Sequence, residues 1–94
     1  MKIIWSPTAH KDLRQIASLI ARDKPVVAMG WARKVKQKTS RLRRFPYSGR
    51  IVPELRRPEI REVIFGSYRI VYRISSEISI LTVFHGAKRM EWNL

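Results

Sequence analysis

Residues 60–90 read IREVIFGSYRIVYRISSEISILTVFHGAKRM, and the alternation within this stretch decides the fold. Apolar and polar residues change places at nearly every second position, the period of a half-buried strand. Gly66-Ser67 breaks the pattern with a two-residue hairpin signal that has glycine first, as a type II′ turn requires. The predicted register pairs Phe65 with Tyr68, Ile64 with Arg69, Val63 with Ile70, Glu62 with Val71 and Arg61 with Tyr72. Directly paired residues share a face. One face then carries Val63, Phe65, Tyr68, Ile70, Tyr72 and Ile74, with Arg61 towards its end. The other carries Glu62, Arg69, Val71 and Arg73.

The next turn falls in Ser75-Ser76-Glu77. A three-residue loop pairs Ile74 with Ile78 and puts Ile78, Ile80 and Phe84 on the apolar face. It puts Leu81, Val83 and His85 with the arginines. A two-residue loop would drop Ile80 and Phe84 among the arginines instead. A slip of one residue turns every side chain over, so burial selects the longer loop. Arg69, Arg73, His85 and Glu62 are therefore expected on a concave polar surface.

Upstream, KIIW at 2–5 is a short first strand. Ser6 is placed as an N-cap and Pro7 at the first helical position, where proline is best tolerated. Ala9, Leu13, Ile16, Ala17 and Ile20 then form one helical stripe. Asp23 with Pro25 restarts a second helix in the same way. This helix carries Val27, Trp31, Val35 and Leu42 on one side and Arg33, Lys34, Lys36, Lys38 and Arg41 on the other. Gly30 is expected to allow close approach of the first helix. The reading is one α+β domain over residues 1–94, β-α-α-β-β-β, with an antiparallel sheet packed against a helical hairpin.

Charge narrows the partner. Twenty Lys and Arg against seven Asp and Glu leave a net +13, and residues 33–61 hold eleven basic and two acidic side chains. Such a balance in a folded domain implies a polyanionic partner. There is no cysteine, and His10 and His85 alone are too few for a zinc site. No glycine-rich phosphate loop or nucleophile elbow is present. The sequence calls for no cofactor. No apolar run reaches membrane-spanning length, and a cytoplasmic location is the expectation.

Arg69 and Arg73 stand two residues apart on one strand, about 6.6 Å along it, and each can hold a phosphate in a bidentate fork. His85 can give or take a proton near neutral pH. Glu62 lies diagonally across from Arg69, and Glu54 sits in the loop that follows the second helix. The plainer alternatives are a solvated arginine face, a structural histidine and a Glu62 that only neutralises Arg69.

The order of elements, with YRIVYRI after the hairpin and VFHGAKRM in the last strand, resembles the RelE/ParE toxins of type II toxin–antitoxin pairs. WSPTAHKDLRQIASLIARD is similar to the first helix of that family, and PYSGRIVPELRRPEIREV to its central loop and second strand. The resemblance implies a small basic toxin, neutralised by an acidic antitoxin in a hetero-oligomer. RelE-like members cleave mRNA on the ribosome, by attack of the 2′-hydroxyl, and ParE-like members poison DNA gyrase. In the nuclease branch Arg69 would bind phosphate. Lysines expected on the preceding strand are reduced here to Arg61, and a late tyrosine is replaced in position only by Trp92. A nuclease subgroup with a loop glutamate, an arginine and a late histidine is matched by Glu54, Arg69 and His85, with Arg61 as an alternative acid. The wording of the motifs is closer to the ParE branch, which makes gyrase the expected target. Arg69, Arg73, Lys88 and Arg89 are then the target-binding residues, with the C-terminal MEWNL beside them. A nucleic-acid-binding module without toxicity is a third reading.

Overall fold

The computed structural model describes residues 1–93. Strand β1 (Ile3–Trp5) leads into α1 (Pro7–Asp23) and α2 (Pro25–Ser40), followed by two short helical turns at Arg41–Arg43 and Pro46–Ser48. Then come β2 (Arg50–Ile51), β3 (Ile60–Phe65), β4 (Tyr68–Ile74) and β5 (Ile78–His85). The strands lie side by side in the order β1-β5-β4-β3-β2. The α+β architecture is the expected one, with two differences. β2, only two residues long, adds a fifth strand at one edge, and β1 runs parallel to β5, so the sheet is mixed rather than wholly antiparallel. Parallel neighbours need a crossover, and the helical hairpin supplies part of it.

Ser6 caps α1 as expected, its hydroxyl accepting from the Ala9 N–H at 3.0 Å. Asp23 does not cap α2. It is the last residue of α1, Lys24 occupies the cap position without a side-chain bond, and α2 starts on Pro25 alone. Nor does Gly30 serve close packing: beyond its own stretch of helix, no atom lies within 4 Å of the place a Cβ would take. The helices bury Ala9, Leu13 and Val35 against Ile70, Tyr72, Ile74, Ile78, Ile80 and Val83 of the sheet, joined by Leu42, which was expected on α2 but lies in the short turn that follows it. Each fully buried aliphatic side chain contributes about 1.5–3 kcal/mol. Among the described residues no helix is long and apolar enough to cross a membrane.

The β3–β4 register holds at all five expected pairs, and Gly66 takes the positive φ, 59°, that its turn needs. Ile74 also pairs with Ile78 and Tyr72 with Ile80. Beyond that point the expectation fails. Val71 faces Thr82, so Leu81 is an extra residue, a β-bulge. From the bulge onward the faces exchange: Ile70 pairs with Val83, Arg69 with Phe84 and Tyr68 with His85. Val83 joins the helix-covered core, while Phe84 lies beneath Arg69. Helix α1 satisfies the polar groups around the bulge. Ser6 Oγ donates to the Leu81 carbonyl at 3.0 Å, and the Asp12 carboxylate accepts from Thr82 Oγ1 at 2.6 Å and the Val83 N–H at 3.0 Å.

The sheet's second face is not an open concave surface either. Val52, Ile60, Val71 and Phe84 are buried there, with Leu55, Leu81, Met90 and Trp92 packed around them. The loop after β2 and the C-terminal segment cover it.

Candidate functional site

Arg69 is the centre of this second face. Its guanidinium lies 5.2 Å from the Phe84 ring centre and 5.5 Å from that of Trp92. Its Nε–H donates to Glu62 at 2.6 Å, and its two terminal nitrogens donate to the two oxygens of Glu54 at 2.7 and 2.8 Å. The other oxygen of Glu62 accepts from Arg50 Nε at 2.6 Å. The four side chains thus alternate in sign, Glu54–Arg69–Glu62–Arg50. The Glu62 side chain is 0% exposed and that of Arg69 12%. A carboxylate buried among apolar groups persists only when paired and hydrogen-bonded, and Glu62 has a guanidinium on each oxygen. The hydrogen bond to Glu54 raises the Arg69 pKa against the opposing effect of burial, and the same bond holds the Glu54 carboxyl below its ordinary range. The fork expected to meet a phosphate is therefore occupied by carboxylates of the same chain.

Arg61 points to the helix-covered side, sharing a face with Tyr72. It donates to the carbonyls of Pro58, Tyr47 and Gly49 at 2.9, 3.3 and 3.0 Å and lies 5.0 Å from the Tyr47 ring centre. The Tyr72 hydroxyl donates to the Pro46 carbonyl at 2.7 Å and accepts from the Gly49 N–H at 3.0 Å. Burial pushes its pKa up. A side chain at Gly49 would collide with that hydroxyl, 2.5 Å from the would-be Cβ. Together these groups pin the loop that precedes β2.

The structure brings Glu54 and Arg69 together but not His85. The Leu81 bulge turns His85 to the side of Tyr68, whose ring it meets edge-on at 5.4 Å, and its Nδ1 accepts from the Ala87 N–H at 3.0 Å. Arg69 and His85, expected on one face, are on opposite faces. Arg73 does share the face of Arg69, half-buried between Ile60 and Ser79. Lys88 and Arg89 are exposed in the segment after β5. Of the expected terminal MEWNL, Met90 and Trp92 pack onto the second core, and Leu94 lies outside the described residues.

Arg50 completes the charged chain and converges with Lys38, Arg41 and Arg44 around a cleft of about 760 Å3, and no motif marks these four residues. Their only signal in sequence was the density of charge from 33 to 61.

A family model described as the ParE toxin of type II toxin-antitoxin system, parDE, matches residues 3–90. Among solved structures, the chain is similar to one titled "Chromosomal ParDE TA system from P. aeruginosa", at 20% identity and a TM-score of 0.77. That match covers 90% of this chain and 95% of the other, and shows a shared fold. No curated protein gives a significant match.

Proposed function

The chain belongs to the ParE toxin family of type II toxin–antitoxin systems, and on that premise we propose that it arrests growth by poisoning DNA gyrase. The observation that carries this reading is the match over residues 3–90, since gyrase inhibition is the activity of that family. The site geometry supports it. A ribonuclease would need groups around one phosphate, whereas Arg69 is bound by Glu54 and Glu62, and His85 stands across the sheet. Gyrase poisoning needs only a binding surface, for which Arg73, Lys88 and Arg89 are the candidates, with Arg69 holding the face together.

A cognate antitoxin is the partner that this family context supports. We take it to be acidic and place an amphipathic helix of it along the helical hairpin. There Leu19, Val26, Val27 and Met29 stand exposed among basic residues. Apolar anchors would hold such a helix and opposite charge would speed its approach.

The test is a supercoiling assay with purified gyrase, followed by transcript profiling after induction. Accumulated gyrase–DNA cleavage complexes with intact transcripts are the expected result. Transcripts cut within codons on ribosomes, with normal supercoiling, would replace this reading with the RelE-like one.

A further inference from the structure

We propose that the cleft beside the open edge of β3 binds single-stranded nucleic acid, gripping phosphates and stacking bases. The cleft runs between the end of α2, the two short helical turns and β3. Lys38, Arg41, Arg44 and Arg50 line it, against a single carboxylate, Glu62. Both oxygens of that carboxylate are already taken by Arg50 and Arg69. Among the described residues Lys38, Arg41 and Arg44 form no ion pair, so their charge is available to a ligand.

The sheet edge adds a neutral donor. β2 pairs only with Arg61 and Glu62, which leaves β3 bare beyond Glu62. Ile60 turns its N–H and carbonyl towards the β2 side, and strand alternation turns those of Ile64 the same way. A single ladder residue is a poor seat for an added peptide strand, since strands average about 5–6 residues. It is a sufficient donor for one phosphate oxygen.

Phe45 lines the cleft, and Tyr47 stands exposed two residues on, in the adjoining helical turn. Phe45 is 60% and Tyr47 62% exposed, and each has a guanidinium over it: Arg44 at 5.8 Å and Arg61 at 5.0 Å from the ring centres. Rings held by cations yet open to solvent are platforms on which any base can stack. Cations along the cleft supply the backbone grip, which makes affinity depend steeply on salt. DNA and RNA strands share this chemistry. The proposal stands apart from the gyrase reading, because binding is measured with no gyrase present.

The experiment is fluorescence anisotropy of a labelled mixed-sequence oligonucleotide, as DNA and as RNA, with the full chain over a salt series. Arg41→Ala with Arg44→Ala should lower the slope of log affinity against log salt by about 1.4, two phosphate contacts' worth. Phe45→Ala and Tyr47→Ala should each weaken single-strand binding roughly tenfold and leave that slope unchanged. Arg14→Ala with Arg22→Ala, on α1 and outside the cleft, removes equal charge and should leave most of the binding in place. Circular dichroism melts establish that each variant is folded. Binding of either strand type with this pattern supports the proposal. Equal losses from the α1 pair, or single-strand affinity indifferent to both rings, would overturn it. So would slowed exchange of the Ile64 amide on adding an acidic peptide but not an oligonucleotide, which would assign the edge to a protein partner.

Discussion

The two faces of the sheet are closed by different physics. On the helix side, α1 and α2 lay regular apolar stripes over Ile70, Tyr72, Ile74, Ile78, Ile80 and Val83, and hydrocarbon contact predominates. On the other side a loop and the chain end close over a cluster that holds, among the described residues, four buried apolar side chains, Val52 of the loop included. Irregular segments bring little apolar area, and there the closure is completed by Glu54, Arg69, Glu62 and Arg50, bonded in series. A chain of net charge +13 has arginine in excess, so a buried carboxylate never lacks partners. The comparison teaches that the arginine most suggestive of chemistry, Arg69, is first a structural element of the weaker face.

The contrast breaks most visibly at Arg69. Arg69→Ala leaves Glu62 buried with Arg50 as its remaining partner and should lower stability by about 3 kcal/mol, the scale for removing one member of a buried pair. Urea denaturation measures it, and a loss under about 1 kcal/mol would mean that the second face does not depend on its charges. Replacing both, Arg69→Met with Glu62→Leu, should recover most of the loss, because an apolar pair can substitute for a buried ionic one.

On the helix side the corresponding polar contact is Asp12. Asp12→Ala removes the acceptor for Thr82 Oγ1 and the Val83 N–H and should cost about 2 kcal/mol. Hydrogen exchange at the Val83 amide should rise more than at Ile70, its neighbour across the strand. Equal acceleration at both would show that the bulge is not held locally by α1.

The same two regions differ in how far residues alone reveal them. The β3–β4 register was legible because a two-residue turn with glycine first leaves no freedom in pairing. The β4–β5 register was legible only as far as Ile80. From there Ile80, Leu81, Val83 and Phe84 are apolar on both faces, so alternation cannot choose between registers. The groups that support the bulge, Ser6 and Asp12, lie at the other end of the chain. One inserted residue then sent His85 to the wrong side of the expected site. The two residues of β2 carry no period at all. The Glu62–Arg69 contact was legible as neighbouring opposite charges, but not its burial, which depends on where the loop and terminus fold. The family was legible because YRIVYRI and HGAKR are wording, independent of which way a side chain points.

Trp92 tests how far the chain end contributes to the second face. It meets Phe84 edge-on at 5.8 Å and stands 5.5 Å from the Arg69 guanidinium. Trp92→Ala should cost at least about 1 kcal/mol, the sum of one aromatic pair and one cation–π contact at the low end of each, before the lost burial is added. Proteolysis near the terminus should quicken while the helix-side amides keep their protection. Unchanged proteolysis would place the terminus outside the closure.

The smallest effect is the most selective, because it depends on pH. Glu54 is bonded through both oxygens to Arg69, and that bond holds its carboxyl below the ordinary value of 4.5. A group whose pKa is depressed by folding stabilises the fold above its unfolded value and loses that contribution as pH falls through the folded one. Glu54→Gln should therefore melt lower than the parent at about pH 7, by less than about 1 kcal/mol because solvent screens a side chain that is 41% exposed. The gap should persist down to about pH 5 and close below the ordinary carboxylate value as the parent's own Glu54 takes up its proton. Val35→Ala, from the hydrocarbon face, should show a gap that the same acid titration leaves nearly constant, since Val35 is 0% exposed and carries no proton. A Glu54→Gln gap that stayed open in acid would trace to the shape of the loop, and the charged closure of the second face would then end at Glu62.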